Sequence, residues 1–460
     1  MNNKITTFLD DVCIHVRCKA VHNDIRDELA NHITELKEEY VSTGVDEEKA
    51  LDMAISAMGS CDEIGNRLNK QHKPKTEWSL IVLTTIIAVI GAIIMYSSSK
   101  FESLQTVQFE RYLFCVAVGI GVLVMLYFFD YTKLKKLALP IYLLTFVLLF
   151  FTLFSGRTIN GRGFLRIGHI SISSEYIPLL FLIAIAGFIE KGRGKGSSAF
   201  AGILALMLIS MIPIIAINSL SIAVILVICY AVLITSSVSR NHFGGYRKLQ
   251  LASIGSIGIL LTALGVIFVL GRSTRLLSFI TRGQSDPLGV GWIHIMADKW
   301  LTASALLGKG SATVNGYSID MGMPGVTTNY VLINVIATLG WIVGIALVLA
   351  IAVFIWRMFV AAGKIKNSYG FYLSLGACTI LSAQFVISVL INFNLFPPMS
   401  TSIPFVSYGG VGYITNMALV GLILSVWRRN NLIGASNNTT GPSKDRFIRI
   451  EDGKLIISFK

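Results

Sequence analysis

Residues Trp78–Tyr96 read WSLIVLTTIIAVIGAIIMY. No side chain in this stretch is charged, and its length suits one pass through a hydrocarbon core about 30 Å thick. Downstream the pattern recurs. Ten such runs are predicted as transmembrane helices: Trp78–Tyr96, Tyr112–Phe129, Leu137–Ser155, Tyr176–Ile189, Ala199–Ile217, Leu220–Val238, Leu249–Leu270, Asn329–Trp356, Phe371–Ile391 and Gly409–Trp427. None contains Asp, Glu, Lys or Arg. The fourth is short, and the fifth and sixth are nearly fused. Over 460 residues the hydrophobic types make up 53% and the charged ones 14%, with mean hydropathy +0.68. These values exclude a string of soluble domains. The expected fold class is all-α, a polytopic membrane protein of about ten transmembrane helices.

Upstream of Trp78 the composition changes. Residues 1–77 hold 15 Asp/Glu against 10 Lys/Arg, net −5, whereas residues 78–460 hold 11 against 29, net +18. The positive surplus sits in short loops between apolar runs, so it sets membrane orientation and does not mark a nucleic-acid surface. Lys70/Lys73/Lys75, Lys133/Lys135/Lys136, Lys191/Arg193/Lys195, Arg240/Arg247/Lys248, Arg357/Lys364/Lys366 and Arg428/Arg429 all fall on one side if the N-terminus is cytoplasmic. Both ends are then expected inside, with the long segment Gly271–Thr328 outside. Residues 1–20 are mixed and polar, so no cleaved leader is expected. Three parts follow: a cytoplasmic helical domain at 1–77, a membrane domain at 78–430 and a basic cytoplasmic tail at 431–460. In the first part, Ile25, Leu29, Ile33, Leu36 and Tyr40 predict a helix over Asn23–Thr43, stopped by Gly44. Asp46 is expected to cap a second helix through Met58, with Gly59 after it. Cys13, His15, Cys18 and His22 cluster at a spacing that matches no common zinc pattern, so they read as ordinary helix positions.

Four stretches carry a more specific pattern. Residues 395–429 read LFPPMSTSIPFVSYGGVGYITNMALVGLILSVWRR, and 275–292 read RLLSFITRGQSDPLGVGW. Residues 323–340 read MPGVTTNYVLINVIATLG, and 160–176 read NGRGFLRIGHISISSEY. Pro and Gly at membrane depth make irregular backbone, which is tolerated only where protein buries it or a cavity adjoins it. With Gly308-Lys309-Gly310, these stretches resemble the SEDS (shape, elongation, division and sporulation) family of bacterial cell-wall glycan synthases, across essentially all of residues 78–430. Pro397, Pro404, Phe405, Ser407, Tyr408, Gly409, Gly410 and Asn416 stand at family motif positions. Residues 25–59 separately resemble a short prefix domain found ahead of some bacterial permease-like membrane proteins.

The resemblance implies a peptidoglycan glycosyltransferase that joins a polyprenyl-pyrophosphate-linked precursor, lipid II, to a growing glycan. It also implies a class B penicillin-binding transpeptidase as partner in the bacterial plasma membrane. Departures fall on the ionisable groups. The family's catalytic aspartate position is Asn329, its following glutamate pair is Ala337 and Thr338, and the glutamate of its Pro-Glu pair is Gly325. An asparagine amide cannot take a proton near neutral pH. If that position is the base, polymerisation is expected to be weak or absent; the alternatives are a non-catalytic relative that binds lipid II or scaffolds wall synthesis, or a lipid-precursor transporter or flippase.

Candidate catalytic positions are Asn329, Asp320 as a substitute carboxylate, and Glu175, which reads equally as an ion-pair partner or a cavity wall. For Asp320 a solvated loop charge is the simpler reading. The resemblance implies substrate contacts at Arg162, Phe164, Arg166, Arg275, Asp286, Lys309, Pro404, Ser407 and Tyr408. The arginines suit phosphate, from the leaving pyrophosphate or from membrane-lipid headgroups. Asp286 before Pro287 reads also as a turn former, and Pro404–Tyr408 as a structural re-entrant turn. A divalent ion could assist the pyrophosphate, but no ligand cluster is dedicated to one, so neither metal nor cofactor is expected.

Overall fold

The computed structural model describes residues 3–19, 22–71, 75–99, 103–155, 157–159, 162–167, 170–255, 258, 273–289, 291–310, 313–314, 317–318, 325–430, 448–451 and 454–457. The chain divides into two compact units, Met1–Thr76 with Trp427–Lys460, and Glu77–Val426.

Among the described residues the first unit packs four helices, α1 (Asn3–Ile14), α2 (His22–Ser42), α3 (Glu47–Met58) and α4 (Cys61–Gln71). Phe8, Leu9, Val12, Leu29, Ile33 and Leu51 fill its core. Sequence spacing yields only the middle two helices. α4, CDEIGNRLNKQ, is largely polar and buries only Ile64, Gly65 and Leu68. Asp46 does precede α3, but its side chain makes no capping hydrogen bond; its backbone carbonyl accepts from Ala50 N–H instead. The tail contributes a hairpin, β6 (Ile448–Glu451) with β7 (Lys454–Ile457), and β7 lies against α3.

The second unit is built from apolar helices, because a spanning segment must satisfy every backbone group within itself. Among the described residues, seven are long and apolar enough to cross a membrane. They are α5 (Trp78–Ser99), α6 (Ser103–Phe128), α10 (Gly196–Ala216), α11 (Leu220–Ser239), α16 (Trp341–Gly363), α17 (Ser368–Asn392) and α18 (Val411–Arg429). Two shorter helices occupy the third and fourth runs, α8 (Ala138–Ser155) and α9 (Ile177–Lys191), with α7 (Thr132–Lys136) leading into α8. The seventh run belongs to α12, of which residues 247–255 and 258 are described as helical, and most of the rest lies outside the described residues. This is a polytopic helical membrane protein. α17 and α18 are its innermost spans, and α6 is the least covered.

The eighth run is not one helix, contrary to the expectation for Asn329–Trp356. It breaks at Gly340 into α15 (Val331–Leu339), buried nearly throughout, and α16. Gly340 has φ 98° and ψ 165°, and a Cβ there would stand 2.6 Å from the Leu306 carbonyl and 2.7 Å from Leu307 Cα. Segment 305–310 then satisfies both helix ends. Gly308 N–H donates to Leu339 O (3.0 Å) and Gly310 N–H to Ala337 O (3.1 Å), while Trp341 and Ile342 N–H donate to Ala305 and Leu306 O (both 3.1 Å). Those are the groups a helix terminus leaves open. Hydropathy cannot register the break, because both sides of it are equally apolar.

Small strands interrupt the helical pattern. β1 (Arg157–Ile159), β2 (Arg162–Ile167) and β3 (Ile170–Ser173) form an antiparallel sheet in chain order between α8 and α9. A short 3₁₀ turn, Ser174–Tyr176, leads from β3 into α9. In segment 273–318, α13 (Ser273–Ile280) and α14 (Trp292–Thr302) precede the two-residue pair β4 (Thr313–Val314) and β5 (Tyr317–Ser318).

Candidate functional site

The turn Ile403–Gly410 before α18 is the hub of the site. Phe405 takes φ 66°, a left-handed conformation rare for a bulky residue. It is held there because its carbonyl accepts from the buried Tyr112 hydroxyl (3.1 Å) and packs over Gly91 of α5. Pro404 is buried. Ser407 is buried too, with its hydroxyl accepting from Ile403 N–H (2.9 Å), so it closes the turn.

Two other segments attach to this hub. Tyr408 N–H donates to Thr327 O (2.7 Å), which ties the Asn329 turn to it. That turn is closed on Gly325, whose carbonyl accepts from Thr328 N–H (3.0 Å) and Tyr330 N–H (2.9 Å). Asn392, fully buried at the end of α17, fixes its other side. Asn392 Nδ2 donates to Asn329 O (2.9 Å) and Ser388 O (2.7 Å), and its Oδ1 accepts from Ile333 N–H (3.0 Å) in the first turn of α15. The half-buried Asn329 side chain is thus carried on backbone pinned at two points.

Glu175 arrives from the other direction, on the 3₁₀ turn after β3. Its carboxylate lies directly on Gly412 in the first turn of α18, a position that any Cβ would take from it. Ser173 Oγ donates to Glu175 Oε2 (3.1 Å). The amino end of a helix carries partial positive charge, which favours a carboxylate. Asn329 and Glu175 are therefore brought to the same turn, the one through Tyr408 and the other through Gly412.

The β1–β3 sheet holds the arginine-rich stretch beside Glu175. Phe164 pairs with Ser173 and Arg166 with Ser171, so both lie on one face of β2, Phe164 half-buried and Arg166 exposed. Arg162 pairs with Ile159 at the start of β2. Leu165 is buried on the opposite face.

Other sequence-predicted positions lie elsewhere. Asp286 accepts from Gly289 N–H at Oδ1 (3.1 Å) and from Gly291 N–H at its carbonyl (3.0 Å), which is a turn-forming arrangement. Lys309 is exposed in the turn at the Gly340 break, at the far end of α15 from Asn329. Nine helical residues separate the two ends, about 13 Å at 1.5 Å per residue. Arg275 sits in α13, and nothing of its side chain is described. Asp320 lies outside the described residues.

Sequence reading missed a buried polar group next to the site. His294 of α14 is 3% exposed; its Nδ1 meets Asn394 Oδ1, while Asn394 Nδ2 donates to the His294 carbonyl (3.3 Å) and to Asp298 Oδ1 (3.2 Å). Asn394, at φ 58°, is two residues beyond Asn392, so one turn anchors both α14 and the Asn329 segment. Glu190, at the end of α9, was also missed. It approaches Lys135 (3.5 Å) and His242 (3.8 Å), and burial holds the His242 imidazole below its ordinary pKa. A polar residue one step past an apolar run is the only signal that could have found it.

No metal centre stands out. Among the described residues no group of three or more His, Cys, Asp or Glu is placed to hold an ion. Cys13 is buried in the core of the first unit, and burial raises its thiol pKa, away from the thiolate that binds metal.

The family model described as "Cell cycle protein", of FtsW, RodA and SpoVE, matches residues 76–432. Among curated relatives, the chain is 24% identical to "Stage V sporulation protein E" of Bacillus subtilis, over 77% of this chain and 98% of that one. It is 22% identical to "Probable peptidoglycan glycosyltransferase FtsW" of Trichlorobacter lovleyi, over 76% and 93%. Among solved structures, a chain described under "Structural coordination of polymerization and crosslinking by a peptidoglycan synthase complex" shares the fold at TM-score 0.61 and 22% identity, covering 77% of this chain and 98% of that one. The rod shape determining protein RodA of Thermus thermophilus does so at TM-score 0.54 and 18% identity, covering 77% and 97%.

Proposed function

The chain belongs to the "Cell cycle protein" family of FtsW, RodA and SpoVE, and from that premise we propose that it binds lipid II in a glycan-polymerase scaffold whose proton acceptor has been replaced by an amide. One observation carries this reading: the Asn329 turn and Glu175 converge on the Pro404–Gly412 turn, with the backbone supports of each in place.

Glycosyl transfer to an acceptor hydroxyl needs the hydroxyl proton removed and the leaving pyrophosphate stabilised. A positioned general base contributes typically ~10²–10⁴ in rate. The Asn329 amide can orient a hydroxyl through its carbonyl oxygen but takes no proton from it. Arg166, exposed on the sheet beside Glu175, suits the pyrophosphate. Precursor binding is therefore retained and turnover falls. A second reading is favoured by Glu175, the carboxylate at this turn: it accepts the proton in place of the missing group, and slow polymerisation survives.

The partner in this reading is a class B penicillin-binding transpeptidase, and the site of action is the plasma membrane. Both chain ends belong to one compact unit, which supports an even number of crossings; the basic loops support placing both ends in the cytoplasm. Binding of fluorescent lipid II to the purified chain tests the proposal. Wild type binds, and Glu175→Gln and Arg166→Ala weaken binding or turnover; no binding by the folded wild type removes the proposal.

A further inference from the structure

Leu306 and Leu307 are 73% and 65% exposed in the turn that closes the Gly340 break. Two adjacent leucines held in water are unfavourable, and an exposed apolar patch marks a surface that something covers. The backbone says where they sit. The Ala305 and Leu306 carbonyls accept from the first two N–H groups of α16, and Leu307 Cα packs over Gly340. Both leucines therefore stand at the very end of a membrane span. From that end, α16 presents Ile342, Ile345, Leu349, Val353 and Trp356, all about half exposed or more. Steps of three or four residues put them on one stripe of the helix. In a multi-pass protein such a stripe faces acyl chains. Trp341, at the head of the stripe and stacked on Phe393 (6.0 Å), is an aromatic residue of the kind enriched at the membrane–water interface.

We propose that the Ala305–Lys309 turn is a membrane-inserted wedge, with Leu306 and Leu307 seated among the lipids of the leaflet at the Trp341 end of α16. The occupant is the bilayer itself, because the pair continues a surface that α16 already gives to lipid. Hydropathy cannot find such a wedge, since two leucines among Ser, Gly and Lys make no apolar run. The wedge matters for the site indirectly. The same turn closes the carboxyl end of α15, whose amino end carries Asn329, so lipid contact holds one end of the helix and Asn392 the other.

The test is photocrosslinking of the full chain in phosphatidylethanolamine and phosphatidylglycerol vesicles. The photoreactive residue 4-benzoylphenylalanine replaces Leu306 and, in a second protein, Leu307. Leu349 serves as the lipid-facing control and Gln284, exposed and polar, as the aqueous one. Phospholipid adducts at 306 and 307 are expected near the Leu349 yield and several-fold above the Gln284 yield. Yields no higher than at Gln284, at both positions, overturn the wedge. Crosslinks chiefly to a second copy of the chain overturn it equally, by naming a different occupant.

Discussion

Replacing Asn392 by Ala removes one fully buried amide and takes a partner from two groups. The Ile333 N–H, at a fully buried residue in the first turn of α15, loses its acceptor, and the Asn329 carbonyl loses this donor. A buried group left without a partner costs about 1–3 kcal/mol, which applies in full to the Ile333 N–H, and the half-buried Asn329 carbonyl adds less. Hydrogen bonds between membrane helices average nearer 0.6 kcal/mol, because the unfolded chain in lipid also finds partners. The competing state here is a local opening of the Asn329 turn that admits water to one group at a time, so we take about 2–3 kcal/mol. At 1.4 kcal/mol per tenfold, that is a roughly 30- to 140-fold rise in the open population. Amide hydrogen exchange on the protein in detergent reads this directly at Ile333, with Gly376 in the middle of α17 as the reference. Asn392→Asp keeps the acceptor for Ile333 and loses both donors, so it should speed exchange at Ile333 far less than Asn392→Ala does. Equal protection of Ile333 in wild type and Asn392→Ala would refute the reasoning that this amide pins the turn.

Other expectations follow from the same geometry. Gly340→Ala forces a Cβ against the Leu306 carbonyl in a conformation that alone costs about 1–3 kcal/mol, so its Tm in detergent should fall clearly. Gly202→Ala in α10, where a Cβ meets open space, should leave the Tm unchanged or slightly raised. Gly412→Ala drives the Glu175 carboxylate off α18, and it should weaken lipid II binding while far-ultraviolet circular dichroism stays unchanged. His242 has a folded pKa below its unfolded value of about 6.5 because burial disfavours the cation. The folded state therefore binds fewer protons than the unfolded one. Its stability is fully present above about pH 6.5 and is lost as the pH falls from there through the folded value; a Tm series from pH 8 to 5 should show this in wild type and less in His242→Gln.

Much of the fold was legible because a membrane makes a simple demand, a long uncharged run for every crossing. The first six runs and the last two became helices close to where hydropathy put them, except that α6 begins at Ser103, nine residues ahead of the second run. What failed was local. The Gly340 break leaves no mark in an unbroken apolar run, since it depends on a distant turn supplying hydrogen bonds to both helix ends. The site was half legible. Proline and glycine at membrane depth marked the 404–412 turn, and the sheet stretch delivered Glu175 to it. Ser407 read both as a substrate contact and as part of a structural turn, and within that turn its hydroxyl accepts from Ile403 N–H. Lys309 read the same way, and α15 carries it to the opposite end from Asn329. Asn392, Asn394 and His294 were not legible at all. Each is an ordinary polar residue in sequence, and its role is fixed by partners about 60 to 100 residues away.

The central claim is that an intact scaffold presents an amide where the proton acceptor is needed. Polymerisation of fluorescent lipid II by the purified protein, alone and with a class B transpeptidase, tests it most directly when wild type is compared with Asn329→Asp. The account predicts little or no polymer from wild type and a gain of about 10²-fold or more from Asn329→Asp, the low end of what a restored general base supplies. Robust polymer from wild type, with no gain from Asn329→Asp, would contradict it.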